Sequence, residues 1–227
     1  MDGILVVNKP QGATSHDIVA LIRKKFSIKK VGHAGTLDPM ATGVLVILVG
    51  GYTKSSQSFL NEDKEYEGTL TLGARSDTQD ACGKITPSGM EVNFDYTELK
   101  KAFDEFAGDI EQRPPMYSAV RYNGKKLYEL ARKGVSVEVR PRKVVIKRLE
   151  ITGILIPQVS FYVTCSKGTY IRRLAADIGD RLGCGAYLSR LSRTRSGRFT
   201  IGQASSVDEL KDFTSADLEK RLIVGDV

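Results

Sequence analysis

Between Gly32 and Gly43 the chain places one histidine, His33, and one carboxylate, Asp38, in a glycine-punctuated run that leads straight into the apolar segment from Val44 to Val49. Gly32, Gly35 and Gly43 admit backbone angles closed to other residues, while Pro39 fixes its own φ and pushes Asp38 out of the helical region. The carboxylate is therefore presented on a loop. Asp-Pro also serves simply to start a turn, and spacing alone leaves both readings open. Other chemistries are excluded more firmly. No Gly-Lys-Ser/Thr closes the run as a phosphate loop requires, and its glycine spacing is not that of a dinucleotide site. His16 and His33 lack partners at metal-ligand spacing, and Cys82, Cys165 and Cys184 are far apart with no CxxC. A second unusual pair is Arg172 and Arg173, which fall in the first turn of an expected helix. There the helix dipole disfavours cations by a few tenths to about 1 kcal/mol, which calls for either a functional anion nearby or a structural salt bridge.

The elements that must position these groups follow from hydrophobic periodicity. Gly3 to Val7 is a short strand ended by the turn Asn8-Lys9-Pro10-Gln11-Gly12. A helix follows, capped by Thr14 or Ser15, with Ile18, Ile22 and Phe26 on one face and Arg23, Lys24 and Lys25 in its last turn. Val44 to Val49 is a buried strand, and Tyr66 to Leu72 alternates so that Tyr66 shares a face with Leu70 and Leu72. Asp77 to Gly89 reads as a loop. Asp95 and Glu98 form a capping pair for a helix carrying Leu99, Phe103 and Phe106. Paired prolines keep Arg113 to Ala119 out of a helix, and a short helix with Leu127, Leu130 and Ala131 stops at Gly134. Two strands, Val144 to Ile151 and Val159 to Cys165, precede Ser166-Lys167-Gly168-Thr169 and a helix burying Ile171, Leu174, Ile178 and Leu182. A strand near Tyr187 to Leu191, an arginine-rich turn and two weak helices after Ser206 and Thr214 complete the chain.

At 227 residues the chain can bury a substantial core. Thirty-four Lys and Arg against 27 Asp and Glu leave a net charge of +7, which favours a polyanionic partner. The charge gathers in three clusters. These are Arg23 to Lys30, Arg140 to Arg148, and Arg190, Arg193, Arg195 and Arg198. One such cluster is ordinarily a solvated face; three together point to nucleic acid. Free thiols fit a reducing cytoplasm, and no apolar run approaches the length of a membrane span.

Several segments together resemble the bacterial tRNA pseudouridine synthase B family. They are Gly3-Ile4-Leu5 with Asn8-Lys9-Pro10 and Thr14-Ser15-His16, the whole of Gly32 to Gly43, Lys64-Glu65-Tyr66 with Leu72-Gly73, Arg113 to Ala119, and Ser166-Lys167-Gly168-Thr169-Tyr170-Ile171-Arg172. They stand in family order. The resemblance implies an α+β fold, with a mixed, largely antiparallel central sheet flanked by helices, and isomerisation of uridine 55 in the T-loop of tRNA by base flipping. It implies that Asp38 is the catalytic aspartate, that Tyr66 packs against the target base, and that Arg172 pairs with the aspartate. Tyr170 and Leu191 would line the uridine pocket and His33 would hold the T-loop open. It further implies no cofactor or metal, tRNA bound through its T-arm, and no membrane partner. The expected organisation is a monomer in the cytoplasm with one catalytic domain over 1–227, lacking the family's usual C-terminal RNA-binding domain. Alternatives are a pseudouridine synthase for another RNA hairpin and a non-catalytic tRNA-binding or tRNA-folding protein.

Overall fold

The computed structural model describes residues 1–225. In chain order its first half carries β1 (Gly3–Lys9), α1 (Ser15–Lys25), β2 (Val31–His33), β3 (Thr42–Val49), a 3-10 turn (Gly50–Ser55), α2 (Ser56–Leu60), β4 (Lys64–Leu72), β5 (Ala74–Ser76), β6 (Ile85–Pro87), α3 (Tyr96–Asp104) and β7 (Gly108–Gln112). The remainder carries β8 (Arg121–Tyr122), β9 (Lys125–Lys126), α4 (Leu127–Ala131), β10 (Arg142–Leu155), β11 (Gln158–Cys165), α5 (Ile171–Arg181), β12 (Ala186–Ser196), β13 (Phe199–Thr200), a second 3-10 turn (Ile201–Gln203), β14 (Ser205–Ser206), α6 (Val207–Asp212) and α7 (Ser215–Arg221). The fold is mixed α+β on a largely antiparallel central sheet flanked by helices, as the resemblance implied. The chain divides into two compact units, one made of Met1–Glu67 with Leu191–Val227 and the other of Gly68–Arg190.

In the first unit β1 and β3 pair antiparallel from Gly3 opposite Val49 to Lys9 opposite Gly43. The far end of β3 also pairs with β2, and its start runs parallel to β12, with Arg193 opposite Gly43. Because β3 is covered on both faces it is apolar along nearly its whole length. Ile4, Val6, Val44, Val46 and Leu48 pack with Phe59 and Phe199, whose rings lie 5.9 Å apart. Helix α1 buries Ile18, Val19 and Ile22, and Thr14 and Asp17 close a capping box at its start. Such a cap contributes about 1 kcal/mol.

In the second unit β10 pairs antiparallel with β7 and β11. Helix α3, opened by the Asp95 and Glu98 capping box, packs against β10 and α5, and Phe103 meets Phe161 edge-on at 6.2 Å. A Cβ on Gly68 would come within 2.5 Å of the Phe161 ring, so this strand position accepts only glycine.

The structure departs from the sequence reading in three places. The segment expected to be a loop from Asp77 to Gly89 includes β6, which pairs with β5 over three residues on each side, too short a run to show a period. The strand expected near Tyr187 to Leu191 extends to Ser196, so most of the expected arginine-rich turn is strand. Its inward positions include Arg193, and a charged residue in an inward slot hides the alternation. The helices after Ser206 and Thr214, read as weak, each carry a complete capping box and bury Leu210 and Leu218. Among the described residues no helix is long and apolar enough to cross a membrane.

Candidate functional site

The Asp38 loop is held by its backbone. Strand β2 delivers His33, and Ala34 donates its N–H to the Val46 carbonyl at 2.9 Å. Gly35 and Gly43 adopt φ of +98° and +100°. At Gly43 the requirement is also steric, since a Cβ there would lie 2.2 Å from the Arg193 carbonyl oxygen. On one side of Asp38, the Leu37 N–H donates to Ser15 Oγ at 2.8 Å, and that hydroxyl donates back to the Leu37 carbonyl at 3.1 Å. On the other side, the Pro39 carbonyl accepts from Gly12 N–H at 2.8 Å and from Lys9 Nζ at 3.4 Å. Ala41 N–H closes the turn on the Asp38 carbonyl at 3.0 Å. The half-buried Asp38 side chain thus projects from a peptide fixed at both neighbours. Ser15 and Lys9 come from the N-terminal segments that resemble the family; the sequence reading offered Ser15 only as an alternative to Thr14 as the helix cap, a place that Thr14 takes, and Lys9 only as part of a turn.

Two buried cations complete this arrangement. Lys9 is 0 % exposed and also donates to the carbonyls of Ala13 at 2.7 Å and Pro10 at 2.9 Å. Burial pushes its pKa down to about 8; the Asp38 charge pulls the other way and Arg193 adds to the lowering. Arg193 is 1 % exposed, and its guanidinium bonds the Val44 carbonyl through Nε at 2.7 Å and the Gly35 carbonyl through Nη2 at 3.1 Å. It staples the two ends of the glycine run. His33 is half-buried, and burial, then the charges of Arg193 and His16, hold its pKa below the ordinary imidazole value. Among the described residues its buried Nδ1 has no hydrogen-bond partner. The imidazole is therefore mainly neutral at neutral pH, able to donate or accept but carrying little charge.

Tyr66 lies on the inward face of β4 and is buried, on the side shared with Leu70 and Leu72 as its alternation required. Leu191 is also buried, and its carbonyl accepts from Thr42 Oγ1 at 3.4 Å. Asp38, His33, Tyr66 and Leu191 belong to the first unit, Tyr170 and Arg172 to the second.

In the second unit Tyr170 stands at the N-cap position of α5 and its backbone is fixed by a reciprocal pair of bonds. Its N–H donates to Gln112 Oε1 at 2.7 Å and its carbonyl accepts from Gln112 Nε2 at 3.1 Å. Arg172 is 4 % exposed and donates to the Thr78 and Tyr117 carbonyls, each at 3.0 Å. Its Nε stands 3.7 Å from Asp80 Oδ2. Asp80 is 5 % exposed and accepts through Oδ1 from Thr78 Oγ1 at 2.6 Å and Cys82 N–H at 3.0 Å. A buried carboxylate thus faces the cation that the helix terminus disfavours. Arg173 pairs within the helix with Asp177, whose pKa burial raises in spite of that partner. Asp80 and Gln112 carried no sequence signal, because each acts through a residue far along the chain.

The C-terminal basic cluster is divided, with Arg190 and Arg198 exposed and the two arginines between them turned inward. Arg193 is buried, and Arg195 pairs with Glu65 and bonds the Gly197 carbonyl at 2.7 Å. Among the described residues no group of three or more His, Cys, Asp or Glu side chains could hold a metal ion.

Comparison with known proteins supplies an independent line. Residues 23–171 match the family model described as TruB family pseudouridylate synthase (N terminal domain). Residues 172–223 match that of the tRNA pseudouridylate synthase B C-terminal domain. A relative from Opitutus terrae named tRNA pseudouridine synthase B is 46 % identical over 98 % of this chain and 92 % of its own length. One of the same name from Protochlamydia amoebophila is 48 % identical over 100 % and 85 %. Among solved structures, a Cbf5-Nop10-Gar1 complex superimposes with a TM-score of 0.77 at 30 % identity, covering 97 % of this chain and 59 % of the solved one. An H/ACA RNP bound to a substrate RNA containing 2'-deoxyuridine gives 0.72 at 29 % identity, covering 97 % and 56 %. This chain therefore spans less than two thirds of either solved chain.

Proposed function

Because the chain belongs to the TruB family of pseudouridylate synthases, we propose that it isomerises uridine 55 in the T-loop of tRNA to pseudouridine. The observation that carries this reading is the Asp38 loop, with its carboxylate held between the anchored peptides of Leu37 and Pro39. The relatives' printed name supports tRNA as the substrate.

The reaction sets the requirements. Uracil must leave C1′ of the ribose, turn, and rejoin through C5, which a stacked base cannot do. The nucleotide is flipped from the T-loop at a cost of a few kcal/mol. Asp38 supplies the ionised carboxylate that the break of the glycosidic bond needs. Tyr66 would offer the base a flat ring to stack on and a phenol to assist removal of the C5 proton. Tyr170, Leu191 and Arg172 belong to the uridine site by the same resemblance, and His33 holds the loop nucleotides around the vacancy. The isomerisation consumes nothing, so it calls for no cofactor and no metal.

The test is to incubate the purified chain with an unmodified tRNA transcript and map pseudouridine along it. Modification at position 55 is expected. Modification confined to another hairpin would reassign the substrate, and none in any RNA would leave a binding protein.

A further inference from the structure

Of the basic clusters, those whose charge is already engaged cannot also hold an anionic partner at full strength. Arg193 and Arg195 are engaged, as shown above. At the N-terminal cluster, Arg23 donates to the Val31 carbonyl at 3.1 Å, and Lys25 is bonded to the Lys211 carbonyl and lies 5.5 Å from the Phe26 ring centroid. Lys24, Lys29, Lys30 and Lys54 differ. All four are exposed and, among the described residues, none forms an ion pair or side-chain hydrogen bond.

The fold gathers these four. Lys24 lies in the last turn of α1. Ser27 takes a left-handed φ of 53°, and Ile28 N–H bonds the Arg23 carbonyl at 3.1 Å, which reverses the chain. The Arg23 bond fastens the helix end to β2. Lys30 is seated beside the 3-10 turn that carries Lys54, because its carbonyl accepts from Gly50 N–H at 2.8 Å. Gly32 also faces that turn, since a Cβ there would stand 3.8 Å from the Thr53 methyl. The Asp2 carboxylate reaches the same turn but accepts from Gly51 N–H. Strand β2 runs directly from these lysines to His33, roughly 10 Å away at about 3.3 Å per residue.

We propose that Lys24, Lys29, Lys30 and Lys54 form a landing surface for the phosphodiester backbone of the substrate RNA, leading along β2 to the Asp38 loop. The inference rests on the tRNA reading above and adds a location to it. Lysines suit this task because their ammonium groups are mobile point charges that engage phosphate without reading sequence. Four ammonium groups along one ridge neutralise successive phosphates and release their counterions.

The experiment measures affinity for an unmodified tRNA transcript across a salt series, using the full chain. It compares the parent, Lys29→Ala/Lys30→Ala, the four-lysine alanine variant, and Lys101→Ala/Lys220→Ala as a control of equal charge change. Lys101 and Lys220 are exposed and belong to α3 and α7, elements that carry none of the four lysines. At about 0.7 to 0.9 per phosphate, the log–log slope should become shallower by about 1.5 in the double variant and about 3 in the fourfold one, with affinity at moderate salt at least about tenfold weaker in the latter. The control should keep the parent's slope. A fourfold variant with the parent's slope, or a control that loses as much as the double variant, overturns the proposal. Failure of the tRNA reading shows separately, as a parent chain that makes no pseudouridine in this transcript.

Discussion

Two arginines lie almost wholly out of water in this chain, and they are held in different ways. Arg193 spends its guanidinium on the carbonyls of Gly35 and Val44 and, among the described residues, forms no ion pair. Arg172 also bonds two carbonyls, those of Thr78 and Tyr117, but in addition faces the buried carboxylate of Asp80. The first is a staple for backbone, closing a loop whose own side chain does the chemistry. The second is half of a charge pair. A staple can be removed together with the cost of burying its charge, whereas removing one member of a pair takes away a charge against which the other is buried. Stability and activity should therefore separate at the Asp38 loop and remain coupled around Arg172.

The largest effect should come from Asp38→Asn. The loop is fixed through Ser15, Lys9, Gly12 and Arg193, none of which needs the carboxylate as its hydrogen-bond partner in these contacts. Pseudouridine formation under single-turnover conditions should fall on the order of 10⁴-fold, while the melting temperature stays within a few degrees. A variant that melts much earlier would show that the carboxylate holds the loop, and the distinction between the two regions would weaken.

Asp80→Ala should be the most destabilising of the remaining substitutions, by about 3 to 5 kcal/mol, because it leaves Arg172 buried without the Asp80 charge. Asp80→Asn should recover part of this, as the amide oxygen can still accept from Thr78 Oγ1 and Cys82 N–H. Denaturant midpoints at unchanged m-value measure both. Arg193→Met should cost less, about 2 to 3 kcal/mol, because two carbonyls lose a donor while a desolvated cation disappears. Equal costs for Asp80→Ala and Arg193→Met would erase the difference between staple and pair.

The sequence exposed these two regions unequally. Tyr66, β3 and the capped helices were legible because period and capping chemistry are local: Leu70 and Leu72 fix the face of Tyr66, and Asp17 sits three residues after Thr14. Arg172 was legible as an anomaly, a cation where the dipole disfavours one, yet its partner Asp80 was not, since nothing in a loop sequence says which distant helix its carboxylate will meet. Lys9 and Arg193 were misjudged for one common reason. A hydrophobic pattern counts Lys and Arg as surface residues, and these two are buried because backbone carbonyls, which the sequence does not display, receive their hydrogens.

Lys9 offers the smallest and most specific test, one of pH. Its ammonium donates to three carbonyls in a dry site, and its native pKa is pushed down to about 8 from the 10.5 of a free lysine. The sign is fixed by proton counting. Below pH 8 both the native and the unfolded chain hold this proton, and the cost of burying the charge is fully present. Between about 8 and 10.5 the native chain releases a proton that the unfolded chain keeps, so this group's contribution to stability rises with pH. Other groups titrate in the same range, so the quantity to measure is the difference between the parent and Lys9→Met as pH is raised from 7 to about 10. The parent should gain on the variant through that window, although the variant is less stable at every pH because three carbonyls lose their donor. A difference that stays flat would mean that the carbonyls and Asp38 hold the ammonium charged despite its burial. Lys9 would then be a staple of the same kind as Arg193, charged at every accessible pH, and the proton balance at the Asp38 loop would be independent of it.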